Sequence, residues 1–74
     1  MQIETLTKRF RHDDYLLEVD VEAEVIDHDW SPLLPPDQVE KLDDARRALR
    51  TGDLKRASQI GRLYRLALID DTAA

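Results

Sequence analysis

The chain has 74 residues, of which 36% are charged and 5% aromatic, a net charge of −5 and no cysteine. One domain of this length buries only roughly 60% of the surface its unfolded chain exposes, and without cysteine neither a disulfide framework nor a cysteine zinc site can staple it. So thin a core leaves little material for the water-excluding walls and supporting contacts of a catalytic site, so no enzyme and no cofactor are expected.

Residues 1–26 read as a β-hairpin. In the segment from Tyr15 to Val25, Tyr15, Leu17, Val19, Val21, Ala23 and Val25 alternate with Leu16, Glu18, Asp20, Glu22 and Glu24. This period of two describes a strand with an apolar face for the core and an acidic face for solvent or a partner. Residues 3–11 are rich in β-formers, with Leu6 and Phe10 on one face and Thr5, Thr7, Arg9 and Arg11 on the other. The short polar connector His12-Asp13-Asp14 joins the two, which sets Arg9 and Arg11 across from part of the acidic row.

Residues 27–36 hold three prolines and the run Asp27-His28-Asp29-Trp30, a connector that continues neither a helix nor a central strand. Trp30 has two readings, a lid over one end of the core or a protruding interaction hot spot. Pro36 and Asp37 mark a helix start and Gly52 its end, so a helix is expected over residues 37–51, with Val39, Leu42, Ala45 and Leu49 on its buried stripe. Asp53 is a good N-cap for a second helix over residues 53–69, on which Leu54, Ala57, Ile60, Gly61, Tyr64, Ala67 and Leu68 share one face. Leu63, Leu66 and Ile69 do not fit that arc; the helix is then either covered on two sides or extended into an outside contact. The expected fold is α+β, a hairpin or small antiparallel sheet packed on two helices.

Charge is sorted along the chain. Residues 1–44 carry four basic against thirteen acidic side chains, net −9, whereas residues 45–74 carry seven basic against three acidic, net +4. Such asymmetry suits electrostatic steering toward a charged partner, unless the two halves neutralise each other on packing. The acidic row Glu18, Asp20, Glu22 and Glu24 reads either as a solvated sheet face or as a surface that occupies a cationic groove normally used by nucleic acid. Lys55, Arg56, Arg62 and Arg65, on the outer arc of the second helix, read either as solvated or as phosphate contacts.

Two constellations invite sharper chemistry and do not support it. His12 and His28 each sit among aspartates, but an unbroken strand between the clusters would hold them about 35 Å apart, so they cannot share a metal, and each alone offers too few ligands. A helix-turn-helix turning at Gly61 would give a recognition helix RLALIDDT, with aspartates where phosphates and base edges require cations and donors.

The opening LTKRFRHDDYLLEVDVEAEV and the later RTGDLKRASQIGRLYRL resemble small bacteriophage accessory proteins. The resemblance implies a protein that acts by binding, as inhibitors of host RNA polymerase and anti-CRISPR proteins do. The expected function is therefore a non-enzymatic regulator that docks on nucleic-acid-handling machinery, with host RNA polymerase first and a CRISPR effector next. The alternatives are a direct DNA or RNA binder using the second helix and a homo-oligomeric structural protein. The opening MQIETLTKRF carries no signal-peptide run and no stretch reaches the ~18 apolar residues of a membrane span, so a cytoplasmic location, the host's if phage-encoded, and no membrane partner are expected.

Overall fold

A computed structural model describes residues 2–25 and 32–69. The chain forms β1 (Gln2–His12), β2 (Tyr15–Val25), α1 (Pro36–Thr51), α2 (Leu54–Ile60) and β3 (Arg62–Arg65), an α+β fold with a three-stranded antiparallel sheet in the order β1-β2-β3. Trp30, Asp27, His28 and Asp29 lie outside the described residues. Among the described residues no helix is long and apolar enough to cross a membrane.

The hairpin follows its alternation. β1 and β2 pair from Gln2 opposite Val25 to His12 opposite Tyr15, closed by Asp13 and Asp14, with Asp13 at φ 52. Leu17, Val19, Val21 and Ala23 are buried, and Leu6 and Phe10 of β1 pack against the core that the first three form with the helices. The opposite face carries Thr5, Thr7 and Arg9 of β1 across from Glu22, Asp20 and Glu18 of β2.

α1 begins with proline at its first turn, where the missing N–H would be unpaired in any case. It ends where Gly52 adopts φ 80 and the amides of Gly52 and Asp53 return to the Leu49 and Ala48 carbonyls. Asp53 then caps α2 by accepting the Arg56 amide at 3.1 Å. Three small residues, Ala45 and Ala48 of α1 and Ala57 of α2, are buried in the core with Leu49 and bring the helices close. Because α1 is wedged between β2 and α2, its buried stripe leans toward Ala48 and leaves Val39, expected inside, 42% exposed.

The expected second helix over 53–69 is corrected. α2 stops at Ile60, Gly61 is extended, and residues 62–65 form β3 against β2, with Leu63 opposite Leu17 and Arg62 opposite Glu18. The cause is a close approach: a Cβ on Gly61 would overlap the Glu18 carbonyl oxygen, so only glycine lets the chain cross this near to β2. Tyr64 and Leu68 therefore do not share a buried helix face; they are 45% and 95% exposed.

β3 covers only residues 15–18 of β2, and polar groups finish that edge. Lys41 Nζ donates to the Asp20 carbonyl at 2.6 Å, the Glu22 amide donates to Gln38 Oε1 at 2.9 Å, and Glu24 exchanges two backbone bonds with Leu33 at 2.8 and 2.9 Å. α1 consequently runs from the open end of the hairpin at Glu22 to its turn end, where Arg46 lies over the Phe10 ring at 5.1 Å.

Candidate functional site

The structure brings together residues that lie far apart in the chain. On the outer face of the sheet, Arg62 from β3 clamps Asp20 with two hydrogen bonds of 2.8 and 2.9 Å and reaches Glu18 Oε1 at 3.4 Å. Arg9 from β1 donates to the other Glu18 oxygen at 2.8 Å, and Thr7 Oγ1 donates to Asp20 at 2.8 Å. Two carboxylates and two guanidiniums thus close a neutral set. Hydrogen bonding from Arg9 holds the Glu18 carboxyl below its ordinary value, Arg62 and then Thr7 hold Asp20 well below the usual carboxylate range, and Asp20 in turn raises Arg62.

This clamp divides the acidic row. Glu18 and Asp20 are occupied from within the domain, whereas Glu22 and Glu24 form no ion pair among the described residues. Lys41 reaches the row by donating to the Asp20 backbone carbonyl, and its charge adds to the lowering of the Asp20 carboxyl.

The four basic residues expected on one helical arc are separated. Lys55 and Arg56 are on α2, and Arg56 stands 3.8 Å from Asp44. Arg62 and Arg65 are on β3, three positions apart, and so on opposite faces of the sheet: Arg62 with Glu18 and Arg65 with Tyr15. No continuous basic helix face exists there. The correction follows from the end of α2 at Gly61, because a strand turns odd offsets to opposite sides.

Unpaired cations collect elsewhere. Arg46 and Arg50, one turn apart on α1, share a shallow cleft of about 310 Å³ with Arg9, Phe10, Arg11, His12 and Leu49. No carboxylate lines it, and Arg11, Arg46 and Arg50 have no ion pair among the described residues. Sequence reasoning missed this cluster. The four-residue spacing of Arg46 and Arg50 was visible, but their meeting with β1 depends on the direction in which α1 crosses the sheet.

No polar or charged side chain is buried among the described residues, and none has an unpartnered buried polar atom. His12 approaches Asp13 at 3.4 Å in the exposed hairpin turn, and among the described residues no three His, Cys, Asp or Glu side chains group as metal ligands. Comparison of the chain with protein-family models, curated proteins and solved structures returns no match.

Proposed function

We propose that this domain is a non-enzymatic regulator that docks on nucleic-acid-handling machinery, setting its carboxylate end into a cationic groove that nucleic acid would otherwise fill. Bacterial RNA polymerase is the first partner on this reading and a CRISPR effector the second, met in the cytoplasm, that of a host cell if the chain is phage-encoded.

The observation that carries the reading is the spatial separation of unpaired charge. Among the described residues, Glu22, Glu24 and Glu40 are without ion pairs at the open end of the hairpin and the start of α1, and Arg11, Arg46 and Arg50 are without them toward the turn end. An oriented charge distribution of this kind steers association and fixes register. Glu22 and Glu24 lie two residues apart on one strand face, roughly 6.6 Å along it, and present negative charge in a regular row. Among the described residues no charged side chain is fully buried, which supports binding over catalysis, since general acids and bases draw their altered pKa values from burial and close partners within a cleft.

Direct nucleic-acid binding is favoured by one observation only, the Arg46 and Arg50 cleft beside Phe10. The two readings separate in a binding titration against purified bacterial RNA polymerase and against a labelled duplex. Glu22→Gln with Glu24→Gln should weaken polymerase binding and leave circular dichroism unchanged. Arg46→Ala with Arg50→Ala should leave it largely intact. The reverse pattern, with salt-sensitive binding of the wild-type domain to the duplex, sinks the proposal and moves the working surface to the arginine cleft.

A further inference from the structure

β1 is the outer strand of the sheet, and among the described residues no strand pairs with the far edge of its eleven residues. The orientation of its backbone follows from β2. Asp20, Glu22 and Glu24 turn their amides or carbonyls away from β1, toward Lys41, Gln38 and Leu33. The odd-numbered residues of β2 therefore bond to β1, and the register pairs them with the even-numbered residues of β1. Ile3, Thr5, Thr7, Arg9 and Arg11 are left with N–H and C=O groups directed outward, and among the described residues nothing pairs with them.

A long open edge is a template for another strand, and proteins that stay monomeric blunt such edges with charge, proline or bulges. Here the charges select rather than prevent. Glu4 and Lys8 lie on the same face of β1 with Leu6 midway between them. In an antiparallel pairing of two copies about Leu6, Glu4 of each copy opposes the partner's Lys8, Thr5 opposes the partner's Thr7, and Leu6 opposes the partner's Leu6. Sliding the register by two residues toward either end removes the Glu4 to Lys8 pairs, and a slide of four sets Glu4 or Lys8 against its own copy.

α1 contributes an independent sign. Val39 is two turns before Arg46, on the side of the helix that reaches Phe10 of β1, and it is 42% exposed. Gln38 contacts Glu22 and Lys41 contacts Asp20, so Val39 lies level with Val21, whose β1 partner is Leu6. The exposed apolar residue of α1 and the midpoint of the complementary charges thus fall at the same height along the edge.

We propose that two copies of this chain join along β1 in the antiparallel register centred on Leu6. They form a continuous six-stranded sheet, with Val39 of each copy near the two-fold axis and about eight new backbone hydrogen bonds, two for each pair of outward-facing residues. This interface stands apart from the proposed docking function, since Glu22 and Glu24 belong to β2 and lie away from the joining edge.

Sedimentation equilibrium of the full chain over about 1 µM to 1 mM tests it. The wild type should pass from monomer to dimer with concentration. Thr5→Pro removes an outward N–H without touching the β1 to β2 bonds, and should remain monomeric with unchanged circular dichroism. Lys8→Glu should weaken the dimer about tenfold, because two attractive pairs become repulsive, and Glu4→Lys combined with Lys8→Glu should restore it. A wild type that stays monomeric throughout, or a dimer that survives Lys8→Glu unweakened, overturns the proposal. If Thr5→Pro unfolds, the charge exchange still decides, because Glu4 and Lys8 are exposed and the double variant must recover what the single one loses.

Discussion

Gly61→Ala tests the feature on which the third strand depends. Gly61 is extended rather than left-handed, so alanine suits its backbone, and the cost arises from space alone. An added Cβ would overlap the Glu18 carbonyl oxygen and stand 3.1 Å from both the Glu18 carbonyl carbon and Val19 Cγ2. The Val19 methyl can turn a little, but the Glu18 carbonyl belongs to the central strand, which is paired on both sides. Relief requires β3 to retreat from β2, which also draws Arg62 away from Asp20. Overpacking of this kind costs about 1–3 kcal/mol, and for a domain of this size it should lower Tm by roughly 5–20 °C. Thermal and urea melts followed by circular dichroism would measure it, with two-dimensional NMR reporting loss of the Arg62 to Asp20 contact. A melting temperature within a degree of wild type would refute the close approach, and with it the assignment of residues 62–65 to the sheet.

Further expectations concern the core, the clamp and the turn. Val21→Asp buries a carboxylate at a position 1% exposed and without a partner, so it should cost several kcal/mol and abolish the cooperative melt, whereas Glu22→Lys on the opposite face should leave it intact. Glu18 and Asp20 have folded values below their unfolded ones, so their stabilisation is complete above the ordinary carboxylate range near ~4 and is lost as pH falls from there through the lower folded values. Tm should therefore fall on acidification below about pH 4, and Arg62→Gln should flatten that dependence; an equal slope in the variant would exclude the clamp as its source. Asp13→Gly removes a side chain from a φ of 52 in the hairpin turn and should raise stability by up to about 1 kcal/mol, read as a higher urea midpoint.

The hairpin was legible because Tyr15 to Val25 alternates without a break, and a slip of register by one residue would bury glutamates. The bounds of α1 and the cap at Asp53 were legible because proline, glycine and aspartate act through local backbone geometry. β3 was not. Residues 62–68 are built of Arg, Leu, Ala and Tyr, whose helix propensity and spacing extend the pattern of α2, and the reason for the break is a contact between Gly61 and Glu18, more than forty residues earlier. The misfit of Leu63 with a helical arc was the trace of it, since in the strand Leu63 faces Leu17. The same error hid the division of the acidic row: Arg62 could be seen to neutralise Glu18 and Asp20 only once it was placed on the neighbouring strand.

In the proposed docking, carboxylates at one end of this domain that lack ion pairs among the described residues take the place of nucleic acid in a cationic groove. Competition on purified bacterial RNA polymerase measures it most directly, with a labelled promoter duplex as the reporter and salt near physiological strength. The wild-type domain should displace the duplex without binding it, and Glu22→Gln with Glu24→Gln should raise the concentration needed. Undiminished duplex binding to the polymerase in the presence of saturating domain, or complex formation between the domain and the free duplex, would contradict it.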